Sequence, residues 1–312
     1  MVESKHKWKA WLYLAPAIIL LLVFTVWPII NTIRMSLLEG YSGVKAAGGA
    51  TFNVGFANFT KVVSYKKFTQ TLENTILLCV LTVPLSTLLA LLIAVALNSI
   101  KPLQKMLQTI FFLPYVTNSI AIGMVFAAMF NIVGLGGVND EPTSLGIVNN
   151  LLGLFGIDWI SWINQTSSYE ANIAVMTIYI VWNALPFKIL VLLGGLQSLN
   201  KQYYDAAKVD GTPRRRIFTR ITVPLLSPML AYVVITGFIG GFKEYTSIVG
   251  IFGDKMGPPD LPGRLNTMVG FIYDSLETNR QGLASAAALI LFGIILVVTF
   301  INLWVSKKRV HY

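Results

Sequence analysis

The chain has 312 residues, 24 of them Lys or Arg and 14 Asp or Glu, giving a formal net charge of +10. Hydrophobic residues make up 55% and charged residues only 12%, with a mean hydropathy of +0.67. An ordinary soluble domain is about a quarter charged, so a water-soluble globule is excluded. The single cysteine, Cys79, rules out a disulfide within the chain, and the two histidines, His6 and His311, fall in terminal tails, so no metal or histidine-based catalytic site is expected.

Six apolar runs of membrane-spanning length are predicted, at about 11–33, 73–98, 106–130, 172–196, 225–252 and 282–305. The first follows the basic KHKWK, as the apolar core of a signal peptide follows its charged region, but its apolar stretch is long and no small-x-small cleavage site follows it. It is read as a retained span. Residues 1–34 then form an N-terminal tail and first helix, 35–72 an extracytoplasmic loop, 73–305 a five-helix core and 306–312 a C-terminal tail.

Charge orients the spans. The N-terminal tail, the second–third connection, the fourth–fifth connection and the C-terminal tail hold fourteen Lys and Arg against Glu3, Asp205 and Asp210. The opposite side holds eight, Arg34, Lys45, Lys61, Lys66, Lys67, Lys255, Arg264 and Arg280, against ten acidic residues. The positive side faces the cytoplasm, so both termini are expected inside. This placement accounts for the excess charge without nucleic acid. The long outer connections, 34–72, 131–171 and 253–281, include GIDWISWINQTSSY, whose aromatics suit the membrane interface or a docking partner. Asn58 and Asn164 head glycosylation sequons, read as chance matches.

Between the fourth and fifth runs lies YYDAAKVDGTPRRRIFTRITVPLL, residues 203–226. A short helix capped by Ser198 or Asn200 should end at Gly211, with Thr212 and Pro213 as N-cap and first residue of a second helix. Ala206 and Ala207 are small enough for close approach to another surface, and Asp205 adds one negative charge. Arg214, Arg215 and Arg216 in the first turn oppose the helix dipole at about 0.3–1 kcal/mol each, which lipid phosphate or an acidic partner would offset.

This segment resembles the EAA loop of importer-type ABC transporter permeases, E-A-A-x-x-x-G and, after nine residues, I-x-L-P. Here it reads Asp205-Ala206-Ala207, Gly211 and Ile221-Thr222-Val223-Pro224, with Asp for Glu and Val for Leu. The resemblance runs over nearly the whole chain and points to the carbohydrate importers of maltose type. VGFANF at 54–59 with Phe68, Asn74 and Thr75, FFLPYV at 111–116, VWNALPFKILVLLGGLQSLN at 181–200 and GLASAAALILF at 282–292 carry it. A Gly-rich TGGGP turn, frequent in sugar permeases, is replaced by FGDKMGPPDLPGRLNTM at 252–268.

The resemblance implies an all-α integral membrane protein with six transmembrane helices, the type I ABC importer permease fold, in a bacterial or archaeal plasma membrane. It implies a coupling loop at 197–224 whose Tyr204, Asp205, Ala206, Ala207, Asp210, Gly211, Arg214 and Phe218 meet a separate ATPase. Implied partners are a second permease subunit, two ATP-binding subunits, an extracytoplasmic solute-binding protein, a sugar and membrane lipid. No Gly-Lys dipeptide, hence no P-loop, occurs, and no catalytic triad or Rossmann fingerprint is present. The chain is therefore expected to be no enzyme and to bind no cofactor, with ATP and Mg held by the partner.

Polar residues inside a bilayer usually face a bundle interior or a water-filled path. The fourth run offers Trp182, Asn183, Pro186, Phe187 and Lys188, the fifth Gly237, Gly240, Gly241, Lys243, Glu244 and Tyr245. Gly237, Gly241 and Glu244 are predicted to share a helix face. By the Trp182-x-x-x-Pro186 match, the resemblance implies a substrate lining of Ile180, Asn183, Ala184 and Phe187 on the fourth helix and Gly237, Gly241 and Glu244 on the fifth. Alternatives are a permease for another solute, such as a glycerol-phosphate ester met by Lys188 or Lys243, and an ion-coupled secondary transporter. The latter favours inverted repeats and paired acidic residues at midplane, and only Glu244 is acidic within a run away from its first residue.

Overall fold

The computed structural model describes residues 7–100, 104–134 and 144–309. Lys5, His6, Lys101 and His311, which entered the reading above, lie outside the described residues, as does the end of the C-terminal tail. The side chains of Lys7, Lys105, Lys308 and Arg309 do so as well. The chain divides into two compact units, Met1–Thr69 with Phe271–Phe292, and Gln70–Gly270 with Gly293–Tyr312.

The first unit begins with α1 (Lys7–Leu21), a π-helical turn at Leu22–Val26 and α2 (Trp27–Leu37). Pro28 lacks the amide that would bond Phe24, and the widened turn accommodates that gap. Trp11, Tyr13, Phe24 and Trp27 are all more than 60% exposed, as a span facing lipid or another subunit requires. Next come α3 (Gly43–Ala47) and α4 (Ala57–Ser64). Asn58, buried on α4, donates from Nδ2 to the carbonyls of Ser36 at 2.9 Å and Leu38 at 2.8 Å, tying the loop after α2 down.

The second unit is built on α5 (Lys66–Ser99) and α9 (Tyr169–Ser198), roughly 50 and 45 Å long at 1.5 Å per residue, enough to cross the hydrocarbon and emerge. Between them lie α6 (Gln104–Val116), α7 (Ser119–Phe130), a two-residue antiparallel ribbon pairing Ile132 with Leu145 and Val133 with Ser144, and α8 (Ile147–Gly153). After α9 come α10 (Lys201–Val209), α11 (Arg214–Ile217), a second π turn at Phe218–Thr222, α12 (Val223–Leu225), α13 (Ser227–Gly241) and α14 (Thr246–Phe252). The chain closes with α15 (Met268–Glu277) and α16 (Gln281–Arg309).

Four helices among the described residues are long and apolar enough to cross a membrane, Trp11–Leu37, Lys66–Ser99, Tyr169–Ser198 and Gln281–Lys307, or up to six if two bent pairs each count as one. The chain is thus a helical, multi-pass membrane protein. Two of the six expected spans are bent. The 106–130 run bends by 98° between α6 and α7, where Asn118 Oδ1 accepts from the amides of Ile120 and Ala121 and restarts the helix. The 225–252 run bends by 67° between α12 and α13, where Pro228 opens the new helix. The run then ends at Gly241 instead of continuing to 252.

Two apolar cores organise this unit. One gathers Leu78, Phe130, Met176, Tyr179, Ile248 and Leu265, the other Ala90, Leu97, Leu192, Leu193, Leu226 and Val233. The first is closed by the crossing of α7 and α14, where a Cβ added to Gly123 would stand 2.7 Å from Gly250 Cα. Only hydrogen fits there.

Asparagines brace the connection from 131 to 171. Asn149 Oδ1 accepts from Trp162 Nε1 at 2.9 Å, and Trp162 meets Phe130 edge-on at 5.6 Å, so this tryptophan packs the protein interior. Asn164 Nδ2 donates to Asn131 Oδ1 and to the Ile132 carbonyl. With Asn58 buried and Asn164 so engaged, neither sequon offers a free amide.

Candidate functional site

A cleft of 280 Å³ opens in the second unit between α5, α9 and α13. Ile180, Asn183, Ala184 and Phe187 line it from α9, and Gly237 and Gly241 from α13. Glu244 also lines it, but from the turn after α13 and not from the helix face expected of it. The Gly240–Gly241 pair ends the helix early, and Glu244 Oε1 accepts from the amides of Tyr245 and Ser247, both at 3.1 Å. The carboxylate thereby satisfies donors at the start of α14, while Thr267 Oγ1 donates to the Glu244 carbonyl at 2.8 Å. Tyr245 stands apart from the lining and packs on the core around Leu78 and Met176.

One wall carries aromatic rings. Phe187 stacks on Tyr115 of α6 with centroids 5.9 Å apart and planes 20° from parallel, and it also meets Tyr232 at 6.5 Å. Asn183 Nδ2 donates to Ser119 Oγ at 3.2 Å, and Tyr179 bonds the same residue, so the amide is held by the first turn of α7.

The opposite wall is α5, whose Thr82, Val83 and Ser86 sequence reasoning missed. The signal was present: Thr82 and Ser86 are four apart, with Thr87 beside them, in a run otherwise dominated by aliphatic residues. Between the walls sits Lys188, only 5% exposed. Its Nζ donates to Ser86 Oγ at 2.6 Å, Thr87 Oγ1 at 3.0 Å and the Val83 carbonyl at 3.2 Å, which uses all three ammonium protons. Gly237 and Gly241 bring α13 against this wall, since an added Cβ would meet Val83 Cγ1 at 3.0 Å and Cys79 Sγ at 2.7 Å respectively. The cleft therefore offers ring faces, amide and hydroxyl groups and one buried cation, a set suited to binding a polyhydroxylated molecule.

The second candidate region is the α10–α12 loop. Asn200 Oδ1 accepts from the Gln202 amide at 2.9 Å and caps α10. At the other end the Thr212 amide donates to Ala207 O at 2.9 Å and the Gly211 amide to Lys208 O at 3.0 Å, a Schellman closure with Gly211 at φ +65°. The second helix starts one residue later than expected: Pro213 is extended, with ψ 146°, and stands as N-cap ahead of Arg214. The prolyl ring still fixes φ, but its carbonyl, which accepts from the Arg216 and Ile217 amides, begins the helix.

The loop has two faces. Ala206, Asp210, Gly211 and Arg214 are exposed, as is Asp205, which pairs with Lys208 at 3.3 Å. Ala207 is buried within the chain, and Tyr204 and Phe218 are half-buried. Phe218, with Leu199 and Val223, packs on the Leu192–Leu193–Leu226 core, so the loop is continuous with the membrane helices.

Residues 64–311 match the family described as binding-protein-dependent transport system inner membrane component. Among characterised proteins, the lactose transport system permease protein LacF of Rhizobium radiobacter is 28% identical over 96% of this chain and 94% of its own. The arabinooligosaccharides transport system permease protein AraP of Bacillus subtilis (strain 168) is 29% identical, over 95% and 88%. In fold, the chain superposes on a subunit of a bacterial ABC transporter that imports the acidic polysaccharide alginate, with a TM-score of 0.76, 23% identity and coverage of 97% and 96%.

Proposed function

Because this chain belongs to the family of binding-protein-dependent transport system inner membrane components, we propose that it is the permease subunit of an ATP-driven importer of sugars, chiefly oligosaccharides. The observation that carries the substrate is the cleft: Asn183 and Phe187 from α9 and Glu244 from beyond α13 converge on one space beside the Tyr115–Phe187 stack. Ring faces stack on aromatics, and hydroxyls bond amides and carboxylates. The two similar permeases named above carry lactose and arabinooligosaccharides in their own names, which supports the same class of cargo here.

The chain works mechanically, without catalysis of its own. Residues 35–72, 131–171 and 253–281 face outward and receive the sugar-loaded binding protein. Both termini and the 197–224 loop lie in the cytoplasm. There the exposed face of α10 enters an ATP-binding subunit, one of two beneath this permease and a second, different one, with ATP and Mg held by those subunits. Closure of the ATPase pushes α10, and the packing of Phe218 and Val223 passes that movement to α9 and α13.

The test is co-purification of the chain with its genetic neighbours, reconstitution in vesicles with the binding protein, and measurement of sugar-stimulated ATP hydrolysis and uptake. Stimulation by an oligosaccharide supports the reading. Purification without any nucleotide-binding subunit contradicts it. One observation favours a second cargo, a solute with an anionic group: Lys188 is a cation on the cleft wall, and no described carboxylate lies within 4 Å of it. Stimulation by a glycerol-phosphate ester in the same assay would select that cargo.

A further inference from the structure

The first unit contains a second, larger cleft of 600 Å³ that shares no lining residue with the sugar cleft. Three cations line it from three separate segments: Lys45 of α3, Lys61 of α4 and Arg280 of the turn between α15 and α16. No Asp or Glu lines it, and no described carboxylate comes within 4 Å of any of the three. Arg280 Nε donates to Thr278 Oγ1 at 3.0 Å, which leaves its two Nη groups without a partner among the described residues.

The three segments are fastened together by the chain itself. Asn58 Oδ1 accepts from the Gly40 amide at 3.2 Å, Gln281 Oε1 from the Gly43 amide at 3.0 Å, and Tyr41 O from the Gly282 amide at 3.0 Å. Asn279 holds the left-handed conformation, φ +55°, that the Arg280 turn requires. The backbone that carries the three cations is therefore set before any ligand arrives, and only their side chains remain to be ordered on binding. Ser42 and Asn58 supply polar groups in the lining, while Val44, Tyr65 and Leu283 supply apolar surface. The cleft lies where α2 ends and α16 begins, both apolar helices of membrane-spanning character. That is headgroup depth.

We propose that this cleft binds a phosphate-bearing glycerol group, the headgroup of an anionic phospholipid. Phosphate is met by Lys45, Lys61 and the Arg280 fork, and the acyl chains leave along apolar surface. Charge location supports this: three of the eight basic residues of the outer connections gather at this one cleft. The same chemistry can come from a soluble glycerol phosphate, and the experiment separates the two sources. The inference rests on the membrane-spanning character of α2 and α16 but not on the cargo, and lipid binding is read without any transport step.

The test uses the complete complex in detergent, titrated with phosphatidylglycerol, phosphatidylcholine or glycerol 3-phosphate and followed by native mass spectrometry. Phosphatidylglycerol should bind the native chain, and the triple variant K45Q/K61Q/R280Q should bind it at least about tenfold more weakly, with phosphatidylcholine unchanged. Glycerol 3-phosphate should neither bind detectably nor displace the lipid; if it displaces the lipid at equal affinity, the lipid source is overturned. Equal phosphatidylglycerol binding by native and triple variant overturns the site altogether. Should the triple variant fail to assemble, Lys61→Gln alone, an exposed change, must still weaken binding about threefold or more, and an unchanged affinity there is equally fatal.

Discussion

The phenolic hydroxyl of Tyr204, on α10, donates to Thr222 Oγ1 at 3.2 Å, eighteen residues along the chain. Thr222 is buried at the end of the second π turn, immediately before the helix that leads into α13. This bond joins the exposed loop helix to the base of the fifth apolar run, so displacement of one is felt by the other.

Removing it should loosen the linkage without unfolding the chain. Tyr204→Phe keeps the ring and gives up a hydrogen bond worth about 0.5–1.5 kcal/mol. The expected outcome is a reconstituted complex that assembles normally but takes up less sugar per ATP hydrolysed. The measurement is that ratio, and Thr222→Val should lower it similarly.

Lys188 and its acceptors on α5 give an asymmetric expectation. Lys188→Met removes the ammonium with its desolvation penalty and keeps the volume, so thermal stability in detergent should change little. Ser86→Ala combined with Thr87→Val, with Lys188 retained, leaves a buried charge short of partners and should cost about 3–5 kcal/mol. The cost should largely vanish when the same pair is made in the Lys188→Met background. Melting temperatures of the four proteins, compared as a double-mutant cycle, check this.

The Tyr115–Phe187 stack supplies the ring face of the cleft. Phe187→Ala should raise the sugar concentration for half-maximal uptake roughly 2- to 10-fold, the equivalent of about 0.5–1.5 kcal/mol. Phe187→Tyr should stay near the native value. Basal ATP hydrolysis should be unchanged in both, because neither touches the α10 loop.

Reading the sequence found the straight helices and lost the bends. The apolar runs that became α5, α9 and α16 are long and nearly uninterrupted, so hydropathy alone places them. The breaks at Thr117–Asn118, at Leu226 and after Gly241 depend on caps and prolines that a hydropathy window averages away. Asn118 before Ser119, and Pro224 with Pro228, were the local signals. The same averaging put Glu244 on a helix that ends three residues before it.

At the cleft, Asn183 stood out because it interrupts an apolar run, and resemblance picked out Phe187 and their neighbours. The α5 wall escaped because which side of a long apolar helix faces a cavity is decided by tertiary packing. Lys188 was visible as a charge in a greasy helix, but its three acceptors lie about a hundred residues away and no spacing rule could have named them. In the loop, Gly211 was legible because a Schellman closure demands the left-handed conformation that glycine supplies. The opposite orientations of Ala206 and Ala207 were not.

Whether the α10 loop drives transport is decided by Asp205→Lys in reconstituted vesicles. Asp205 is exposed and its ion pair with Lys208 is a surface one, worth little to the fold. Sugar uptake should fall at least about tenfold, with ATP hydrolysis no longer responding to loaded binding protein. Uptake at the native rate would contradict the account.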